Sequence, residues 1–127
     1  MAIINKFDKI FRKITYGKNR NNIGIITDNY DDSTIIKVMK KYDIHKNGSK
    51  NENVILVWYK NPSKYDDIVT FVNKQIKLKK VLVLVVNLNF DFHNFVTKCV
   101  SSSIDSIYWH NEDGTKHSEY CIIVNPN

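Results

Sequence analysis

From Val81 to Val86 the chain runs VLVLVV, flanked by Lys79-Lys80 on one side and Asn87-Leu88-Asn89 on the other. A strand with no polar face must be covered on both sides, the pattern of an interior strand in a helix-sandwiched parallel sheet. Shorter runs of the same kind occur at Ile23–Thr27 and at Val54–Tyr59. Between these runs the apolar period lengthens. Ile35, Val38, Met39 and Tyr42 share one face of a helix, with Lys37, Lys40 and Lys41 turned outward. The turn before it, Asp28 to Ser33, is rich in helix caps, and its acids suit the positive end of a helix dipole.

Asn61-Pro62 starts a second helix, with asparagine at the cap and proline at the first helical position. Tyr65, Ile68, Val69, Val72 and Ile76 form its stripe, and a lysine cluster closes it. Asp91 caps a third helix that carries Phe92, Phe95, Val96, Cys99 and Val100 on one side. His45 to Asn53, with Gly48 and Ser49, reads as a solvated loop. Two runs around Asp113-Gly114 read as a β-hairpin. Ahead of all this, Ile3, Phe7, Ile10, Phe11 and Ile14 recur at helical spacing with Lys6, Lys9, Arg12 and Lys13 between them. That is a basic amphipathic helix of about three turns, and its apolar face must find either the sheet or a partner.

Together these elements predict one α/β domain over 1–127: a small Rossmann-like or flavodoxin-like sandwich with a mainly parallel sheet. Within it, 1–20 form the basic helix and linker, 23–101 a βαβαβα core, and 103–125 the β-hairpin. Strands fall near 23–27, 54–59 and 81–87, and helices near 32–42, 62–77 and 91–101. Strand order stays open.

Composition changes this picture little. One alanine and two arginines against sixteen asparagines and seventeen lysines point to an AT-rich genome, such as that of a phage or plasmid. Lysine enrichment by codon bias weakens any inference from the net charge of +6. Of that charge, +5 lies in residues 1–20, so the body is near neutral. No apolar run reaches the roughly 20 residues a membrane helix needs, and the N-terminus lacks the apolar block of a secretory signal. Two cysteines, Cys99 and Cys121, are too few for a disulfide framework, so a cytoplasmic or other reducing compartment is expected.

For chemistry, the carboxyl ends of the strands are where α/β folds hold ligands. The candidates there are Asp28, Asn29, Ser33, Lys60, Asn61, Asn87 and Asn89. No glycine-rich loop follows a strand, and the acids at the first turn compete with phosphate for the same N–H groups. The third strand ends in Asn87, where a phosphorylatable aspartate would be needed for phosphotransfer. His110, His117 and Cys121 match no zinc spacing, and Cys99 sits on an inward stripe as a small hydrophobe. No catalytic set, metal site or cofactor is therefore predicted.

The leading expectation is a non-enzymatic binding or regulatory protein that acts through a protein partner. Lys6, Lys9, Arg12, Lys13 and Trp109 are the candidate contacts. The first alternative is a small-ligand, nucleotide-like binder or a hydrolase using the polar rim. The second is a nucleic-acid accessory protein using the basic helix. An anionic membrane surface is the least favoured partner.

Overall fold

The computed structural model describes residues 3–14, 22–47, 52–78, 80–87, 90–98, 102–112 and 118–126. In chain order the elements are α1 (Ile3–Ile14), β1 (Ile23–Ile26), α2 (Ser33–Lys41), β2 (His45–Lys46) and β3 (Val54–Trp58). A 3₁₀ turn (Pro62–Lys64) follows, then α3 (Tyr65–Lys77), β4 (Val81–Asn87), α4 (Phe92–Lys98), β5 (Ser102–Glu112) and β6 (Ser118–Pro126). Among the described residues the strands form one sheet in the order β2-β1-β3-β4-β6-β5. β2, β1, β3 and β4 run parallel to one another, and β6 joins β4 antiparallel, as does β5 to β6.

β4 is interior for the reason its sequence dictates. Every residue from Leu82 to Asn87 is buried, and its neighbours on either side are β3 and β6. Its side chains divide by the period of a strand. Val83 and Val85 join Ile25, Leu56, Trp58, Cys121 and Ile123 in a core that includes Ile35 and Val38 of α2. Leu82, Leu84 and Val86 join Ile55, Val57, Ile122 and Val124 under Tyr65, Ile68 and Val72 of α3 and Phe95 of α4. The sheet is thus covered on both faces.

The basic helix α1 belongs to the first of these layers. Phe7 and Ile10 are fully buried and Phe11 nearly so. Phe7 lies 5.5 Å from Trp58, ring centre to ring centre, and Phe11 lies 4.8 Å from Tyr42. The Tyr42 hydroxyl donates to the Asp8 carboxylate, and the Lys41 ammonium stands 3.5 Å from the same group. These contacts hold Asp8 below the usual carboxylate range, with the tyrosine hydrogen bond as the largest cause. The apolar stripe of α1 therefore meets the sheet, and the basic residues lie between its buried positions.

Two expectations need correction. The stretch 45–53 is not simply a solvated loop. His45 and Lys46 pair in parallel with Gly24 and Ile25, and Glu52 is 3% exposed. Helix α3 begins at Tyr65, after a 3₁₀ turn, because Asn61 caps that turn by accepting from Ser63 N at 3.1 Å. The third helix covers Phe92–Lys98 of the expected 91–101, and positions 99–101 lie outside the described residues.

Glu52 explains Gly24. The Glu52 carboxylate occupies the space in which a Cβ at position 24 would stand, and His45 Nε2 is 3.4 Å from Glu52 Oε2. Alternating residues of a strand face opposite sides, so β1 needs its one residue without a side chain on that face. Gly24→Ala is expected to drive the carboxylate off its seat and destabilise the protein by about 1–3 kcal/mol, the usual cost of overpacking. Urea midpoints for Gly24→Ala, Glu52→Ala and the double variant check it. Strong non-additivity is expected, and simple addition would show that the two residues do not collide.

Candidate functional site: a cleft at the strand ends

The carboxyl ends of β1, β3 and β4 and the start of β6 surround a cleft of about 650 Å³. Asp28 and Asn29 come from the turn after β1, and Tyr59, Lys60 and Asn61 from the turn after β3. Asn87 ends β4, Glu119 lies opposite it on β6, and Pro62 and Tyr65 come from the entry into α3.

Asp28 is the clamp between the first two turns. Its Oδ1 accepts from Lys60 N at 2.7 Å and its Oδ2 from Asn61 N at 2.8 Å. One carboxylate thus takes two backbone donors that would otherwise be unpaired at the end of β3. The neighbouring turn is closed in the same style. Asp32 Oδ1 accepts from Thr34 N and Ile35 N, each at 3.0 Å, and so caps α2. Asn29 Oδ1 accepts from Asp31 N at 3.2 Å. Lys60 extends toward this cap: its ammonium is 3.8 Å from Asp32 Oδ2 and 4.9 Å from the centre of the Trp58 ring. Its charge is thereby shared between an acid and an aromatic face.

The deeper wall joins the two core layers. Tyr65 Oη accepts from Asn87 N at 2.9 Å, which satisfies the last amide of β4. Burial is the largest cause pushing the Tyr65 phenol up, with Glu119 and Asp28 adding to it, so this hydroxyl keeps its proton. Tyr59 is pushed up as well, first by burial and then by Asp67 and Asp28. Trp58 is fully buried, yet its indole Nε1–H reaches Glu119 Oε2 at 3.0 Å. A buried indole needs such a partner, and Glu119 supplies it from the cleft side of the sheet end.

Asp28, Asn29, Lys60, Asn61 and Asn87, five of the sequence-predicted rim residues, therefore meet at one cleft. Ser33 is exposed at the first position of α2 and does not line it, while Asn89 lies outside the described residues. Lys6, Lys9, Arg12 and Lys13 sit on α1, and Trp109 sits on β5 where the register shifts between Tyr108 and His110. Lys6, Lys9 and Arg12 do not line the cleft, and the side chains of Lys13 and Trp109 lie outside the described residues. Cys121 is fully buried in the core, and burial pushes its thiol up and away from the thiolate form.

Sequence reasoning missed Tyr59, Pro62, Tyr65 and Glu119 as cleft residues. Tyr65 opens the apolar stripe of α3, and its place one residue past Lys64 at the helix entry was the available signal. Glu119 had none, because its position depends on the antiparallel register that sets it opposite Asn87. Neither a family model nor any curated protein matches the chain.

Proposed function

We propose that the protein is a binding protein that receives a small polar molecule in the strand-end cleft. One observation carries this reading. β1 leads outward to β2 on one side and to β3 and β4 on the other, so the order changes direction between β1 and β3. The loops that leave those two strands are the ones that border the cleft, and Asp28 ties them together. Open α/β sheets hold their ligands at such a switch point, and a volume of about 650 Å³ suits a small molecule. The order β2-β1-β3-β4 also supports the flavodoxin-like arrangement expected from sequence, with the antiparallel β6 in place of a fifth parallel strand. A protein partner remains the second reading. The burial of Phe7, Ile10 and Phe11 favours the first, because it removes the apolar anchor that α1 would offer.

A thermal-shift screen with a broad set of small polar molecules (acids, sugars, heterocycles and amines) tests the proposal. A ligand at one hundred times its Kd stabilises by about 2.7 kcal/mol, so at least one compound is expected to raise Tm clearly. The shift is expected to vanish in Asn29→Trp, which fills the cleft from an exposed position. A shift that survives in Asn29→Trp would place the ligand elsewhere, and the absence of any shift would count against a small-molecule site.

A further inference from the structure

The cleft carries a sharper chemical preference than its polarity alone conveys. Resting on the reading just given, we infer that its ligand is a phosphate-free compound that presents N–H groups, a heterocyclic base or an amine, with the Glu119 carboxylate as acceptor.

The case begins with what the rim withholds. Phosphate binds α/β folds through unpaired N–H groups at helix starts. Here five such groups have acceptors already. Asp32 takes Thr34 N and Ile35 N, Asp28 takes Lys60 N and Asn61 N, and Asn61 takes Ser63 N. Two of the three capping groups are carboxylates, which would repel an anion. Lys60, the one cleft lysine among the described residues, stands between Asp32 and the Trp58 ring, so a phosphate would have to compete with an acid for it.

What the cleft offers is the complement of this. Glu119 gives Oε2 to the Trp58 indole, and Oε1 has no hydrogen-bond partner among the described residues. That oxygen is a charged acceptor fixed in place by its twin, the condition in which a hydrogen bond is strongest. Tyr65 receives the Asn87 N–H on its oxygen and still has its own hydrogen to donate. A carboxylate acceptor beside a phenol donor fits a ligand edge bearing N–H next to an acceptor atom, as on a nucleobase. Tyr59 supplies a ring on which a flat molecule can stack.

The test is calorimetric titration of the full chain with four probes: guanosine and agmatine as N–H donors, guanosine 5′-monophosphate and inorganic phosphate as anions. Guanosine or agmatine is expected to bind, the monophosphate more weakly than guanosine, and phosphate not at all. Glu119→Gln keeps an oxygen for the Trp58 indole and should keep its melting temperature. It should weaken the donor probe roughly tenfold or more, the size of one hydrogen bond to a charged group. Tighter binding of the monophosphate or of phosphate would overturn the preference, as would donor binding indifferent to Glu119→Gln. If no probe binds while the thermal screen finds only acids or sugars, blocked by Asn29→Trp, the ligand class is wrong and the cleft reading survives. If neither experiment finds a ligand, both fall.

Discussion

Leu84→Asp will not fold. Leu84 is fully buried on β4, with Val57 opposite it on β3 and Ile122 on β6. Its side chain lies in the layer with Ile68 and Val72 of α3. The substitution removes a buried leucyl group, worth about 1.5–3 kcal/mol. It also leaves a carboxyl group with no partner, at a further cost of several kcal/mol. Domains of this size are stable by only about 5–15 kcal/mol in all. Circular dichroism is expected to show an unfolded or aggregated chain. Lys37→Glu, on the exposed side of α2, is the control and should change stability by no more than about 0.5 kcal/mol. A soluble Leu84→Asp protein with a cooperative melt would show that β4 is not interior.

Removing residues 1–16 is expected to be nearly as damaging. α1 contributes Phe7, Ile10 and Phe11 to the core, and its loss would uncover the Trp58 ring and the Tyr42 edge. At about 1.5–3 kcal/mol for each large side chain, the loss is roughly 5–9 kcal/mol, before the Asp8–Tyr42 hydrogen bond is counted. The truncated chain should melt far below the full-length protein or not fold at all. Equal melting temperatures would mean that α1 is an appendage, and would return its basic face to consideration as a partner surface.

These two outcomes depend on features that were legible to different degrees. The VLVLVV run announces β4 and its double cover, because no other arrangement buries both faces. The stripes of α2 and α3 are equally plain, since Ile35, Val38, Ile68 and Val72 recur at helical spacing and all are buried. Whether α1 docks could not be read, because an amphipathic stripe is the same stripe whether it meets a sheet or a partner. β2 escaped notice because two residues carry no period, and Glu52 because a buried carboxylate looks like any loop acid until Gly24 is set beneath it. In β5 the register shifts at 104–106 and 108–110 break the alternation, so Ser103 to His110 reads as a mixture.

The cleft shows the same division. Its rim was legible, because Asp28, Asn61 and Asn87 end apolar runs and strand ends are where α/β proteins place polar groups. Its depth was not. Asp28 looks like a free ligand in sequence, and in the fold both of its oxygens are held by backbone amides. Glu119 enters only once β6 pairs with β4.

The claim that the cleft between β1 and β3 is the binding site is tested most directly by mapping backbone amide shifts during titration with a compound that raises Tm. The largest changes are expected at Lys60, Asn61 and Asn87, whose amides are held by Asp28 and Tyr65 in the cleft wall. A second groove, lined by Tyr30, Ile36, Met39 and Ile44, lies beside α2 and provides the contrast. Shifts centred on that groove or on α1, with the three cleft amides unmoved, would contradict the claim.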